Sequence, residues 1–140
     1  MGRINVGRVI VGGLLAGFLI NCSEFVLNTF VIAKDMEAAM KALNLPPIGS
    51  GQIGIFVALG FALGISTVWL YAAIRPRFGP GVSTASCAAL TVWFLAYVYP
   101  TMFILVTHVF PTTPMGISVV WGLPEIVIAG IAGAWAYTET

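Results

Sequence analysis

Charged side chains are scarce in this sequence. Asp, Glu, Lys and Arg make up 8% of its 140 residues, whereas a soluble domain usually has about 25%. Such a chain cannot cover its surface with polar groups. Its 59% hydrophobic content and mean hydropathy of +1.01 indicate that the surplus apolar surface faces a lipid bilayer. The net charge of +1 offers no basic face to nucleic acid. The sequence therefore predicts an integral membrane protein that binds no nucleic acid.

The sequence also lacks the short motifs of several common catalytic sites. It contains no HExxH or CxxC motif, no phosphate-binding Walker loop and no GxSxG elbow. Cysteine is rare, because only Cys22 and Cys87 occur and both fall inside apolar segments. We interpret them as small packing residues at different depths rather than as a disulfide. These patterns assign no catalytic residue, no metal site and no cofactor, and an enzyme is disfavoured.

Four apolar segments are long enough to cross a bilayer. They cover residues 9–33, 53–74, 83–106 and 115–137. Each has at least about 20 residues, the number that crosses a hydrocarbon core of ~30 Å at ~1.5 Å per residue. A segment in lipid must satisfy its own backbone hydrogen bonds, so each is predicted to be a helix. Together they predict one all-α membrane domain over residues 1–140, a four-helix transmembrane bundle.

The positive charges predict the orientation of these helices. Arg3 and Arg8 precede the first predicted helix, and Arg75 and Arg77 lie between the second and the third. Because two crossings separate these pairs, they lie on the same side, which the positive-inside rule makes cytoplasmic. We therefore expect both termini in the cytoplasm, in a bacterial-type inner (plasma) membrane, with the first and third loops outside.

The first loop has an amphipathic pattern of its own. Apolar residues recur there at the spacing i, i+3, i+4, i+7, namely Met36, Ala39, Met40 and Leu43. Glu37 and Lys41 stand four residues apart, which favours a helical ion pair. The pattern predicts a short helix over residues 36–43. It is either an interfacial helix on the outer membrane surface or a frayed extension of the first transmembrane helix.

Two acidic residues, Glu24 and Glu125, lie well inside the apolar segments. An ionisable group at such a depth costs several kcal/mol unless it is paired, hydrated or neutralised, so each is a candidate functional residue. Counting ~1.5 Å per residue from the predicted helix ends, Glu24 lies ~13 Å and Glu125 ~15 Å below the outer boundary. The two carboxyl groups are therefore predicted to reach one level of the bundle.

Other polar residues lie on helical faces at or near the level of these acids. At about 100° per residue, Asn21 and Asn28 fall on the same face as Glu24. Tyr97 and Thr101 share a face of the third helix, subject to a kink expected from a nearby proline. The candidate intramembrane cluster therefore consists of Asn21, Glu24, Asn28, Tyr97, Thr101 and Glu125, with His108 at its rim.

The predicted cluster has three possible chemistries, because no Lys or Arg lies at its depth. The carboxyl groups can be protonated and hydrogen-bonded, joining the helices without further function. They can bind a cation, or they can face a partner or a water-filled cavity. A bound metal is disfavoured, since His108 is the only histidine and the sequence has no Glu-x-x-His pair of the kind used by di-iron bundles.

Three functions are compatible with these observations. A non-catalytic accessory or structural subunit is favoured by the short loops, the helix faces of small residues and the missing catalytic motifs. The alternative is a small transporter or channel that handles protons or cations through Glu24 and Glu125. A membrane-embedded enzyme has the least support. The expected partners are the lipid bilayer and either further copies of the chain or other membrane subunits.

Overall fold

A computed structural model describes residues 3–139 of the chain. It is 84% helical, and the described residues contain no strand. This confirms the predicted all-α four-helix bundle. The α-helices are α1 (Val6–Val26), α2 (Ala33–Ala42), α3 (Ser50–Phe78), α4 (Val82–Trp93), α5 (Tyr99–Val106) and α6 (Thr112–Ala136). Two short π-helical segments complete the helical structure, the first π segment (Leu27–Val31) and the second π segment (Phe94–Val98).

These elements form four helices that are long and apolar enough to cross a membrane. We name them the first to fourth spans: Val6–Val31, Ser50–Phe78, Val82–Val106 and Thr112–Ala136. The first span joins α1 to the first π segment, and the third span joins α4 and α5 through the second π segment. The π segments are the places where the two composite spans depart from regular α-helical geometry.

The first two spans have different ends from those predicted. The first begins at Val6 rather than at residue 9, because the side chain of Asn5 caps it by accepting the N–H of Arg8 at 3.1 Å. The second continues past residue 74 to Phe78, with Pro76 in its last turn. Because a proline has no N–H, it donates no helical hydrogen bond to the carbonyl of Ala72, four residues earlier.

Glycines let the spans approach one another closely. A Cβ atom on Gly64 would overlap the backbone nitrogen of Gly17 and the carbonyl oxygen of Gly13. A Cβ atom on Gly133 would lie 2.8 Å from the carbonyl oxygen of Gly12. The first span therefore packs backbone to backbone against both the second and the fourth, as small residues permit in membrane bundles.

The buried core occupies the half of the bundle nearer the termini. Its members come from the beginning of α1, the end of α3, the beginning of α4 and the later part of α6. They include Val9, Ala16, Val68, Ala72, Ala85, Ala88, Ile126 and Ala129. The candidate cluster lies beyond this core, toward the half of the bundle that holds the first and third loops. Well-packed apolar side chains thus close one end of the bundle.

Contacts between distant parts of the chain join the two terminal segments to the end of the second span. The guanidinium group of Arg75 lies 3.2 Å from Oε1 of Glu139 and 5.6 Å from the ring centroid of Tyr137. The hydroxyl of Tyr137 in turn accepts the backbone N–H of Asn5 at 3.4 Å. The described ends of the chain therefore lie at the same end of the bundle as the second loop.

The short helix of the first loop begins earlier than predicted. It covers Ala33–Ala42 rather than residues 36–43, and a bend at the buried Ile32 separates it from the first span. Its C-terminal end borders a cavity of about 350 Å³ together with residues of the third loop. The α2 helix is therefore a separate element beside the third loop rather than a straight extension of the first span.

Candidate functional site

The carboxyl groups of Glu24 in α1 and Glu125 in α6 lie within hydrogen-bonding reach of each other. Glu125 is buried, with 7% of its surface exposed, and Glu24 is half-buried. The Oε2 atom of Glu125 accepts no well-formed hydrogen bond from any group in the described chain. The structure thus brings together two acids that are 101 positions apart in the sequence, and leaves one of their oxygen atoms without a donor.

This arrangement restricts the charge state of the pair. A carboxylate has only acceptor atoms, so a hydrogen bond between two carboxyl groups needs a proton on one of them. A cation between the oxygen atoms would satisfy the same geometry. The acid pair, defined as Glu24 and Glu125, can therefore hold a proton or another positive charge.

Tyr97 fixes the other oxygen of Glu125. Its hydroxyl donates to Oε1 of Glu125 at 2.5 Å, so the bond joins the third span to the fourth. Tyr97 belongs to the second π segment, in which the N–H of Tyr99 bonds to the carbonyl of Phe94 five residues earlier. Pro100 follows directly, and it has no N–H for the carbonyl of residue 96. The proline kink expected from the sequence therefore takes the form of a wider turn that carries Tyr97.

A second chain of contacts reaches Glu125 from the first span. The indole N–H of Trp121 donates to the hydroxyl oxygen of Ser23 at 2.9 Å, and the side chain of Ser23 contacts the carboxyl group of Glu125. Neither residue belongs to the cluster that was predicted from the sequence. Trp121 precedes Glu125 by four residues, a spacing that places two side chains on one helical face, and this was the available signal.

Asn28 holds Glu24 from within the first span. Its side-chain N–H donates to Oε2 of Glu24 at 2.8 Å and to the backbone carbonyl of the same residue at 2.8 Å. Asn28 lies in the first π segment, one turn beyond Glu24. Each acid of the pair therefore has a partner in a π-helical turn, Asn28 for Glu24 and Tyr97 for Glu125. Such turns are common at functional sites.

Asn21 was predicted to belong to the cluster, but its hydrogen bonds go to backbone carbonyl groups instead. Its side-chain N–H donates to the carbonyl of Gly17 at 2.9 Å and to the carbonyl of Val57 at 3.2 Å. Its amide group also fills the space beside Gly60 in the second span. Asn21 therefore links the first and second spans and borders the acid pair without a hydrogen bond to it among residues 3–139.

A large cavity adjoins the acid pair. It measures about 990 Å³ and lies between the first span, the second span and the second π segment. Most of its lining is apolar. The polar side chains among its lining residues are Asn21, Glu24, Asn28, Thr29, Ser66 and Tyr97. Glu24 and Tyr97 thus face the cavity directly, while Glu125 lies behind them.

Thr101 was predicted as a member of the cluster and His108 as a residue at its rim. Thr101 is half-buried in α5, and the hydrogen bonds described for residues 3–139 include none from it to the acid pair. The wide turn before it changes the angle between residues 97 and 101 from that of a regular helix. His108 is exposed in the third loop with a φ of 53° and borders the smaller cavity beside α2.

The described side chains form no cluster of three or more His, Cys, Asp or Glu residues that could hold a metal ion. The four apolar spans support a lipid environment for the chain. Comparisons with protein-family models, with curated proteins and with solved structures give no match. The chemistry of the site is therefore inferred from its own geometry.

Proposed function

We propose that this protein is a small membrane transporter that exchanges protons for other cations at the acid pair. The observation that carries the proposal is the contact between the carboxyl groups of Glu24 and Glu125 inside the bundle. No Lys, Arg or His is found among the described residues that line the adjoining cavity. In this proposal, the positive charge of the pair is a proton or a cation that enters from the cavity.

The exchange follows from competition for one position. Two carboxylates in contact inside a membrane are strongly unfavourable unless a positive charge lies with them. A proton or a cation fulfils that requirement, and the two cannot occupy the same oxygen atoms together. Binding of a cation therefore favours release of a proton, and binding of a proton favours release of a cation. This competition is the basis of exchange transport.

The neighbouring donors support this use of the pair. Tyr97 occupies Oε1 of Glu125, and Asn28 occupies Oε2 of Glu24. The Oε2 atom of Glu125 is left for the exchanged charge. Tyr97 and Asn28 are thus positioning residues, which hold the carboxyl groups without supplying a charge themselves.

The proposal includes an orientation. The described termini meet the end of the second span at one end of the bundle, and four arginines lie there. They are Arg3, Arg8, Arg75 and Arg77, the last of which is in the final turn of the second span. The charge distribution supports a cytoplasmic position for this end. The cavity next to the acid pair then opens toward the outer half of the membrane.

Proton flux into proteoliposomes tests the proposal. Purified protein is reconstituted with a pH-sensitive dye inside, and an inward or outward gradient of Na⁺ or K⁺, or of an organic cation, is imposed. We expect a dye response with the wild-type protein that is lost in Glu24→Gln and in Glu125→Gln, each shown to be folded by circular dichroism and size-exclusion chromatography.

Glu37→Gln is the matched control. The hydrogen bond from Lys41 lowers the pKa of Glu37, so its carboxylate is charged, but the pair is exposed and lies outside the spans. Exposed ion pairs contribute little to stability. The control variant should transport like the wild type. Normal flux in both Glu24→Gln and Glu125→Gln would contradict the proposal.

A second candidate function is that of an accessory subunit. The third span favours it, because only 6% of its most apolar stretch is buried within the chain. Large side chains on it are exposed, namely Phe94, Leu95, Tyr99, Met102, Phe103 and Val106. Native mass spectrometry of protein extracted gently from its own membrane discriminates the two. Masses of the monomer or of a homo-oligomer favour the transporter, and a mass that includes other chains favours the subunit.

A further inference from the structure

The cavity beside the acid pair has the size of a small-molecule site. Its volume of about 990 Å³ lies at the upper end of the range of about 300–1,000 Å³ that is usual for such sites. An alkali metal ion at Glu24 would leave nearly all of this space unused. The size of the cavity therefore favours an occupant with a substantial organic body.

The lining of the cavity includes apolar side chains on the outer surface of the second span. Ile53, Phe56 and Leu59 line it from the second span and have between 53% and 59% of their surface exposed. Exposed side chains of this kind on a membrane span contact acyl chains. An occupant that enters from this side must first dissolve in the bilayer, so its body must be apolar.

The polar end of the cavity selects the charge of the occupant. Glu24 presents a carboxyl group there, with Glu125 directly behind it. The side-chain N–H groups of Asn21 and Asn28 are already donated to oxygen atoms of the protein. An anionic head would meet like charge, whereas a cationic head would find the oxygen atoms that it needs.

Aromatic rings lie beside this polar end. Tyr97 belongs to the same lining as Glu24, and Phe25 follows Glu24 directly in the first span. The faces of aromatic rings attract organic cations, and this attraction strengthens where water is excluded. A substituted ammonium group suits such a lining better than a metal ion does, because its surface is itself apolar.

We infer that the cavity binds a monovalent amphipathic organic cation, an amine or a quaternary ammonium compound, which enters sideways from the outer half of the bilayer. Its apolar body lies against the second span, and its charged head lies at Glu24 and Glu125. The inference rests on the proposed function, for which it specifies the class of transported cation.

Charge balance fixes the stoichiometry. One proton leaves the acid pair for bulk water as one cationic head arrives, so the charge in the cavity does not change. The titratable groups that face the site are Glu24 from α1, Glu125 from α6 and Tyr97 from the third span. The second span contributes no titratable side chain to the described lining.

Tetraphenylphosphonium and tetraphenylborate make a matched pair of probes, because they have nearly the same size and shape and opposite charge. Binding of each to the purified, detergent-solubilised protein is measured by equilibrium dialysis over a series of pH values. Proton release on binding is measured in weakly buffered solution. The variants are Glu24→Gln and Glu125→Gln, with Glu37→Gln as the control.

We expect the phosphonium to bind saturably, with an affinity that rises by up to about tenfold for each unit of increasing pH, as competition with one proton requires. Binding should release one proton and be lost in Glu24→Gln and Glu125→Gln, and the borate should show no saturable binding. If the Gln variants do not fold, the two probes on the wild-type protein decide the question alone.

Two results would overturn the inference. Equal saturable binding of both probes would show a site for apolar molecules in general, such as a lipid chain. No saturable phosphonium binding, in a protein that exchanges Na⁺ or K⁺ for protons in proteoliposomes, would refute the organic cation and leave the proposed function standing. Failure of both the binding and every exchange assay would remove both.

Discussion

The hydroxyl of Tyr97 donates a hydrogen bond of 2.5 Å to Oε1 of Glu125 and so connects the third span to the fourth at the level of the acid pair. The third span is otherwise the least buried of the four. This one polar contact therefore has two consequences. It orients a buried carboxyl group, and it joins the third span to the fourth together with the bond that the indole N–H of Trp93 donates to the carbonyl of Val119 at 2.9 Å.

Replacing Tyr97 by Phe tests both consequences. The variant keeps the ring and loses only the hydroxyl, so we expect a loss of about 1 kcal/mol in the free energy of unfolding and a clear decrease in proton exchange. Denaturant unfolding in mixed micelles and the proteoliposome assay measure these effects. Tyr99→Phe is the control, since Tyr99 is 69% exposed and should tolerate the same change.

Gly64 lies where the first and second spans meet. A methyl group there would overlap backbone atoms of Gly13 and Gly17, which cannot rotate away as a side chain can. We expect Gly64→Ala to destabilise the protein by about 1–3 kcal/mol. On the same helix, a Cβ atom on Gly54 would meet nothing within 4 Å. Gly54→Ala should therefore leave stability unchanged or raise it slightly, and equal losses in both variants would refute the close packing.

Trp121 holds Ser23 against Glu125 through its indole N–H. Trp121→Phe removes that donor, and we predict a loss of about 1 kcal/mol in stability together with slower exchange. Trp135→Phe provides the comparison, because Trp135 is 83% exposed. Thermal unfolding followed by circular dichroism compares the two variants. An unaffected Trp121→Phe protein would mean that Ser23 needs no donor to keep its position.

Simple counting predicted the spans and the similar depth of the two acids, but not that the two side chains meet. The apolar runs reveal the helices because lipid allows few other structures, and the helix rise gives Glu24 and Glu125 similar depths. Counting at a constant angle per residue fails beyond a π turn. Thr101 lies just beyond the second π segment, so the helical face that this counting assigns to it does not follow from the sequence alone.

The other differences concern single hydrogen bonds. Ser23 directly precedes Glu24, about 100° around the helix from it, so it was not on the face drawn for the cluster. The bond from Trp121 to Ser23 joins residues that are 98 positions apart. No local pattern encodes such a pairing, because it depends on how the fourth span packs against the first. The extension of the second span beyond Pro76 likewise depends on the turn that follows, in which Gly79 has a φ of 84°.

Labelling of single cysteines tests the proposed orientation. Cys22 and Cys87 are free and are first replaced by Ala. A membrane-impermeant maleimide should then label Lys41→Cys in intact cells and label Arg77→Cys only after the membrane is permeabilised. Both positions are exposed in the folded chain. The side of the membrane on which each one lies therefore determines whether the maleimide reaches it. The reverse pattern would place the termini outside.

Infrared spectroscopy of the acid pair tests the central claim most directly, namely that Glu24 and Glu125 share one exchangeable positive charge. The protein has five acidic side chains, and the three others lie outside the spans, so signals of the pair can be separated by hydrogen–deuterium exchange and by pH. We predict a protonated-carboxyl band in the wild-type protein. Glu24→Gln and Glu125→Gln should each shift or remove this band to the same extent. Binding of tetraphenylphosphonium should displace it. Two independent bands, each removed by one variant and unaffected by the other, would contradict a shared site.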